Sequence, residues 1–178
     1  MSLLSVCSIA DELKNTYMES DPKKLAAELH IPVQTEPLGT EPDACKGFLL
    51  KMQDVCVITV NADLDEDMQR IILAHELGHA LLHKDTLPLS AYHDFSLFDK
   101  VTREEYEANL FAAELLLSDA DVLNELNTDD FFFSAAARLR VPPELLDFKF
   151  RILKSRGVQL EAPFCAGGDF LKNAVRKQ

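Results

Sequence analysis

The 178-residue chain has no apolar run long enough to cross a bilayer, and its first residues, MSLLSVCSIADELK, carry no basic stretch ahead of a sustained apolar one. Neither membrane insertion nor export through a signal peptide is expected. No CxxC pair occurs: Cys7, Cys45, Cys56 and Cys165 are scattered, which fits neither a disulfide framework nor a cysteine zinc site. Reduced thiols in a cytoplasm are the expectation. Basic residues are scarce, 18 against 30 acidic, for a net charge of -12. Such a surface repels nucleic-acid backbone and anionic lipid, so a partner met electrostatically is a basic one. Internal repeats and low-complexity segments are absent too. With 47% hydrophobic residues, the chain can bury a core in one soluble domain carrying at most a small helical appendage.

Residues 8–19 and 21–30 have helical spacing, the second with Asp21 as N-cap and Pro22 at the first helical position. Between Val33 and Asn61 the pattern changes to short β-prone pieces, VQTEPL, KGFLLKM and VCVITV, separated by turn-forming residues. Asp65, Glu66 and Asp67 suit the first turn of a helix running to about His83. Residues 84–101 form a long connection that would serve as a flap or substrate wall. Thr102, followed three positions later by Glu105, makes a capping box for a helix ending near Ser118. Beyond it come a short helix at about 119–126 and two more around a VPP turn at 141–143.

The stretch Ile71–Leu82, IILAHELGHALL, is too apolar to lie in water, yet it holds two histidines and a glutamate. Burying those groups is costly unless something compensates them. Residues four apart share one helix face, roughly 6 Å along the axis, so His75 and His79 can converge on one ion. Zinc accepts imidazole nitrogen at about 2.0 to 2.1 Å, within reach of two consecutive turns. Glu76 projects about 100° round the axis and stands beside the ion, where it can handle a proton. This is the H-E-x-x-H pattern, whose chemistry is the attack of water on an amide next to a metal ion. A histidine pair bonded to carbonyls is the plainer alternative, but it requires three polar groups to be satisfied separately in an apolar helix. Gly78 would let another backbone or a substrate strand approach closely. His83 continues the stripe but lies two turns from His75, too far to share the ion comfortably, and is expected exposed at the helix end.

A catalytic zinc needs a third protein ligand. Glu104, Glu105 and Glu107 begin the helix that follows. Glu105 is favoured because Asn109 lies one turn on, on the same face, where it can steady a ligand histidine or the carboxylate. Glu107 is the competitor, and two of the three acids would simply be solvated at a helix N-terminus. LAHELGHALLH followed by EYEANLFAAELLL closely resembles the ImmA/IrrE family of metallopeptidases, in which HExxH precedes a Glu-x-x-Ala-Asn-x-Phe-Ala-Ala segment. The resemblance spans roughly residues 20–155; it departs from the family where Leu117 and Ser118 replace the usual proline. It implies one zinc ion per chain held by His75, His79 and Glu105, with Glu76 as general base. It further implies an endopeptidase that cuts a regulatory protein, typically a helix-turn-helix repressor of a mobile element or stress response.

The expected fold class is α+β: a small antiparallel or mixed sheet against a zincin-type active-site helix, followed by a helical C-terminal part. Residues 1–128 would form the metallopeptidase domain, 129–160 a helical hairpin packed on it, and 161–178 a weakly structured tail. Tyr92 and His93 are candidate donors to an oxyanion, and Cys165 is read as a free structural cysteine. An alternative function comes from the helices of residues 129–156, in which the stretch 138–156 holds six basic side chains against two acidic ones. These helices would then serve a non-catalytic, metal-binding regulator or interaction module. Direct nucleic-acid binding is not expected, because the rest of the chain is strongly acidic.

Overall fold

The computed structural model describes residues 1–41, 43–52, 55–83, 102–128, 131–163 and 166–167. In chain order the elements are α1 (Leu3–Tyr17), α2 (Pro22–Glu28), β1 (Val33–Glu36), β2 (Gly47–Met52), β3 (Val55–Asn61) and α3 (Glu66–Leu82). There follow α4 (Arg103–Leu116), α5 (Asp119–Thr128), α6 (Phe132–Arg138) and α7 (Pro143–Ser155). The fold is α+β, as the patterning implies. The expected features of 84–101, including Tyr92 and His93, and of Cys165 lie outside the described residues.

Local chemistry sets most helix starts. Asp21 accepts from the N–H groups of Lys23 and Lys24 at the head of α2, Asp65 from Met68 N–H at the head of α3, and Thr102 from Glu105 N–H at the head of α4. α1 begins earlier than its periodicity suggests, because Ser2 supplies the cap by accepting from Ser5 N–H at 3.2 Å. Its buried stripe, Val6, Cys7, Ala10 and Leu13, then faces the interior.

The sheet has the order β1-β3-β2 and is mixed. β2 pairs antiparallel with β3, placing Leu49 opposite Ile58, whereas β1 runs parallel to β3 with Val33 opposite the same Ile58. β3 is central, and Ile58, Thr59, Val60 and Asn61 are all buried. Asn61 ends the strand with all its amide capacity used: Oδ1 accepts from Leu38 and Asp63 N–H, and Nδ2 donates to the Gly39 and Cys45 carbonyls. The loop before β2 is thereby tied to the turn that leads into α3.

α3 lies across β2 and β3 and packs along its length against α4. Both contacts depend on glycine. A Cβ at Gly47 would stand 2.4 Å from Ile72 Cγ2, and one at Gly78 would stand 3.1 Å from Phe111 Cδ1 and 3.3 Å from Ala108 Cα. The close approach expected at Gly78 is therefore made by α4.

α7 completes the core against α4 and α1 through the fully buried Leu145, Leu146, Phe148 and Ile152, and Tyr106 meets Phe148 with ring centroids 5.5 Å apart. Of the three consecutive phenylalanines at 131–133, only Phe132 turns inward, onto Phe150; Phe131 and Phe133 are exposed. Neighbouring residues point about 100° apart round a helix, so three in a row cannot share one face. Buried among these helices is Lys149, whose Nζ lies 2.8 Å from Glu114 Oε2 and 2.6 Å from Asp119 Oδ1. Arg156 closes the network on Glu114 at 3.0 Å and on Asp119 at 2.7 Å. Such a cation is tolerated only because it is paired and hydrogen-bonded.

Gly78→Leu should overpack the α3–α4 contact and destabilise the protein by about 1–3 kcal/mol, read as a lower midpoint in chemical denaturation.

Candidate metal centre

His75 and His79 leave α3 on the face turned to α4. Their Nε2 atoms are 3.1 Å apart. Glu105, in the first turn of α4, places Oε2 3.5 Å from His75 Nε2 and Oε1 3.5 Å from His79 Nε2. Among the described residues these three side chains form the one group whose donor atoms lie close enough to hold a metal ion. The separations fit zinc: ligands at about 2.0 to 2.1 Å in tetrahedral directions stand about 3.3 Å from one another. Two imidazole nitrogens and one carboxylate, with a fourth direction left for substrate or water, are also the donor set of a catalytic site rather than a closed structural one.

Charge in the cluster is arranged to match. Burial alone would raise the Glu105 carboxyl, yet hydrogen bonds and charge from His75 and His79 hold it well below the usual carboxylate range, so it is an anion. Glu76 behaves oppositely: burial pushes its carboxyl up to about 7, with His79 opposing the rise and Glu105 adding to it. A carboxyl that titrates near neutrality beside two imidazoles can both accept and return a proton. Cys45, held by Asn61, is close enough for Glu76 to contribute to its raised pKa, although burial is the larger cause. The described cysteines Cys7, Cys45 and Cys56 are free thiols.

Thus the structure brings together His75, His79 and Glu105 and leaves Glu107, the competing carboxylate, out of the cluster. Glu107 is nonetheless buried; its Oε2 lies 3.1 Å from His83 Nε2, and its Oε1 accepts from Arg103 Nε at 2.7 Å and from the Met1 ammonium. His83 is not exposed at the helix end, as its position two turns from His75 suggested. It is 6% exposed, because Glu107 draws it inward and its Nδ1 lies 3.1 Å from His79 Nδ1. Burial pushes the His83 pKa down, with the Glu107 hydrogen bond opposing. The signal for both residues was the unbroken i, i+4, i+8 histidine stripe. Asn109, fully buried, follows Glu105 by one turn of α4.

The model of the IrrE N-terminal-like domain matches residues 26–151, a span that contains the sheet, the three converging side chains and most of α7. The chain belongs to the ImmA/IrrE family of metallopeptidases. It is 34% identical over 134 residues to the uncharacterized immunity region protein 2 of Bacillus phage phi105, an alignment covering 75% of the chain and 81% of that relative. It is also 36% identical over 103 residues to the metallopeptidase ImmA of Bacillus subtilis strain 168, which covers 56% of the chain and 57% of ImmA. Family membership implies a metal ion, and the donor set of His75, His79 and Glu105 suits one.

Metal analysis of the purified protein should find about one divalent ion per chain, and both His79→Ala and Glu105→Ala should lose most of it, since each removes one of the three converging donors.

Proposed function

We propose that the protein is a zinc-dependent endopeptidase of the HExxH type that hydrolyses a peptide bond in a regulatory protein. The observation that carries this reading is the convergence of His75, His79 and Glu105 with Glu76 beside them, its carboxyl raised to about 7. A zinc ion bound there would supply Lewis acidity toward a water and a peptide carbonyl. Glu76 takes the proton from the attacking water at its carboxylate and hands it to the departing amine nitrogen, so that it ends the cycle as it began. His75, His79 and Glu105 hold their places through the packing of α3 on α4. His75 Nδ1 is buried with no hydrogen-bond partner among the described residues, and Asn109 is the amide we assign to steady it.

The substrate we infer is a helix-turn-helix repressor of a mobile element or stress response. Support comes from the name of the phage relative, an immunity region protein, and from that of the bacterial relative, the metallopeptidase ImmA. A net charge of -12 favours a basic DNA-binding partner over DNA itself. Among the described residues no helix is long and apolar enough to cross a membrane, and a cytoplasmic site of action is consistent with the reduced thiols. The alternative of a non-catalytic regulator using the 129–156 helices is disfavoured by where its cations go. Arg138 pairs with Glu125, Arg140 with Asp67, Arg151 with Asp147 and Arg156 with Asp119, while Lys149 is buried; of the six, Lys154 alone is exposed with no such carboxylate among the described residues. Neutralised cations release few counterions from DNA.

Glu76→Gln should retain zinc while losing at least about 100-fold in cleavage of a repressor co-expressed from the same regulatory region. Undiminished cleavage by that variant would defeat the assignment.

A further inference from the structure

His79 differs from His75 in what stands behind it. Its Nε2 faces Glu105 and His75, whereas its Nδ1 lies 3.1 Å from Nδ1 of His83. The far side of the His83 ring, Nε2, lies 3.1 Å from Glu107 Oε2, and the other oxygen of Glu107 is occupied by Arg103 at 2.7 Å and by the Met1 ammonium. His83 also bonds through its backbone, its N–H donating to the His79 carbonyl at 3.0 Å, so the two backbone positions that carry the rings are fixed relative to one another. Both His83 and Glu107 are buried, at 6% and 5% exposure, so water does not replace either partner freely.

The protons in this chain can be ordered from its far end. A carboxylate only accepts, so His83 Nε2 must carry the hydrogen that bridges to Glu107. With its hydrogen on Nε2, the His83 ring offers a lone pair at Nδ1, and among the described residues His79 Nδ1 lies 3.1 Å from it. That atom must therefore donate. His79 is left with its lone pair on Nε2, directed at Glu105 and His75, which is the form in which an imidazole binds a metal. From this geometry, and resting on the zinc-site reading above, we propose that His83 and Glu107 are positioning residues. Together they set the tautomer and ring orientation of His79 and so tighten metal binding without touching the ion. The motif is thus longer than HExxH in function: the histidine two turns beyond the first ligand, and the glutamate two residues beyond the third, belong to the same device. A bond from the ring to a carboxylate raises ligand basicity as well as fixing its direction, and here the effect passes through an intervening imidazole.

The test is zinc affinity measured by competition with a chromogenic chelator, for wild type, His83→Leu, His83→Asn and His75→Ala, with thermal unfolding of each zinc-free protein as the control for folding. His83→Leu fills the same space but offers His79 no acceptor, and should weaken zinc binding by about 10- to 100-fold at little change in the zinc-free melting temperature. His83→Asn returns an amide oxygen to the position of Nδ1 and should recover most of that loss. If His83→Leu does not fold, Glu107→Leu carries the test, because it leaves both rings in place but removes the acceptor that orders their protons; weakened binding is again expected. A folded His83→Leu, or failing that Glu107→Leu, that binds zinc as tightly as wild type overturns the proposal, as does a His83→Asn no better than His83→Leu. Failure of the zinc site itself looks different: wild type would then bind no more zinc than His75→Ala.

Discussion

The approach of α4 to α3 is the contact on which everything else rests. Neither helix holds a complete site. α3 offers two imidazoles on adjacent turns with the Glu76 carboxylate next to them, and α4 offers the carboxylate that meets them, but only if the helices close to the distance that the missing side chain at Gly78 permits. Phe111 and Ala108 fill that gap from α4, both without solvent exposure, so the register of one helix against the other is set by apolar packing a turn or two away from the donors. The polar cluster then costs little extra to hold, since the rods that carry it are already fixed. Preorganisation of this kind is what a metal site requires of its protein.

The remaining helices defend that contact from behind. α7 presses on the face of α4 opposite the site, and the buried Lys149 with Glu114 and Asp119 gives this interface a specific polar anchor within otherwise apolar surroundings. An ion pair buried in this way adds little net stability by comparison with a greasy substitute, but removing one member leaves a stranded charge. The α6–α7 hairpin is accordingly a wall of the core, and its cations other than Lys154 pair with carboxylates of the same molecule. A local excess of positive charge along the chain did not survive folding as a positive surface.

Much of the architecture could be read from residues whose effects are local. Asp21 before Pro22 and Thr102 three positions ahead of Glu105 act within one helical turn, and both caps are found where the sequence puts them; Asp65, expected in the first turn of α3, is instead its N-cap. The pair His75 and His79, sharing a face by helical geometry alone, was equally legible. Features that depend on partners distant in the chain were not. The parallel pairing of β1 with β3 is set by where the chain crosses after Glu36, which no residue in VQTEPL announces. His83 looked like a helix-end residue because its burial is produced by Glu107, on the following helix, and exposure at 131 and 133 beside a buried Phe132 is decided by which side of α6 meets α7. The Thr102–Glu105 pattern was a fair sign of a helix start but concealed a second use, since both oxygens of that glutamate turn to the histidines.

That double use has a consequence for how the site can come apart. Glu105 sits in the opening turn of α4, where a helix frays most easily and where Thr102 contributes only about 1 kcal/mol of capping. Unwinding a single turn there would withdraw one of three donors while the paired imidazoles on α3 stay put. Anything that tugs on the entrance to this helix, a bound protein or a change in the chain leading into it, thus gains leverage over metal occupancy without contacting the ion, much as loosening one hinge pin frees a door that is otherwise rigid.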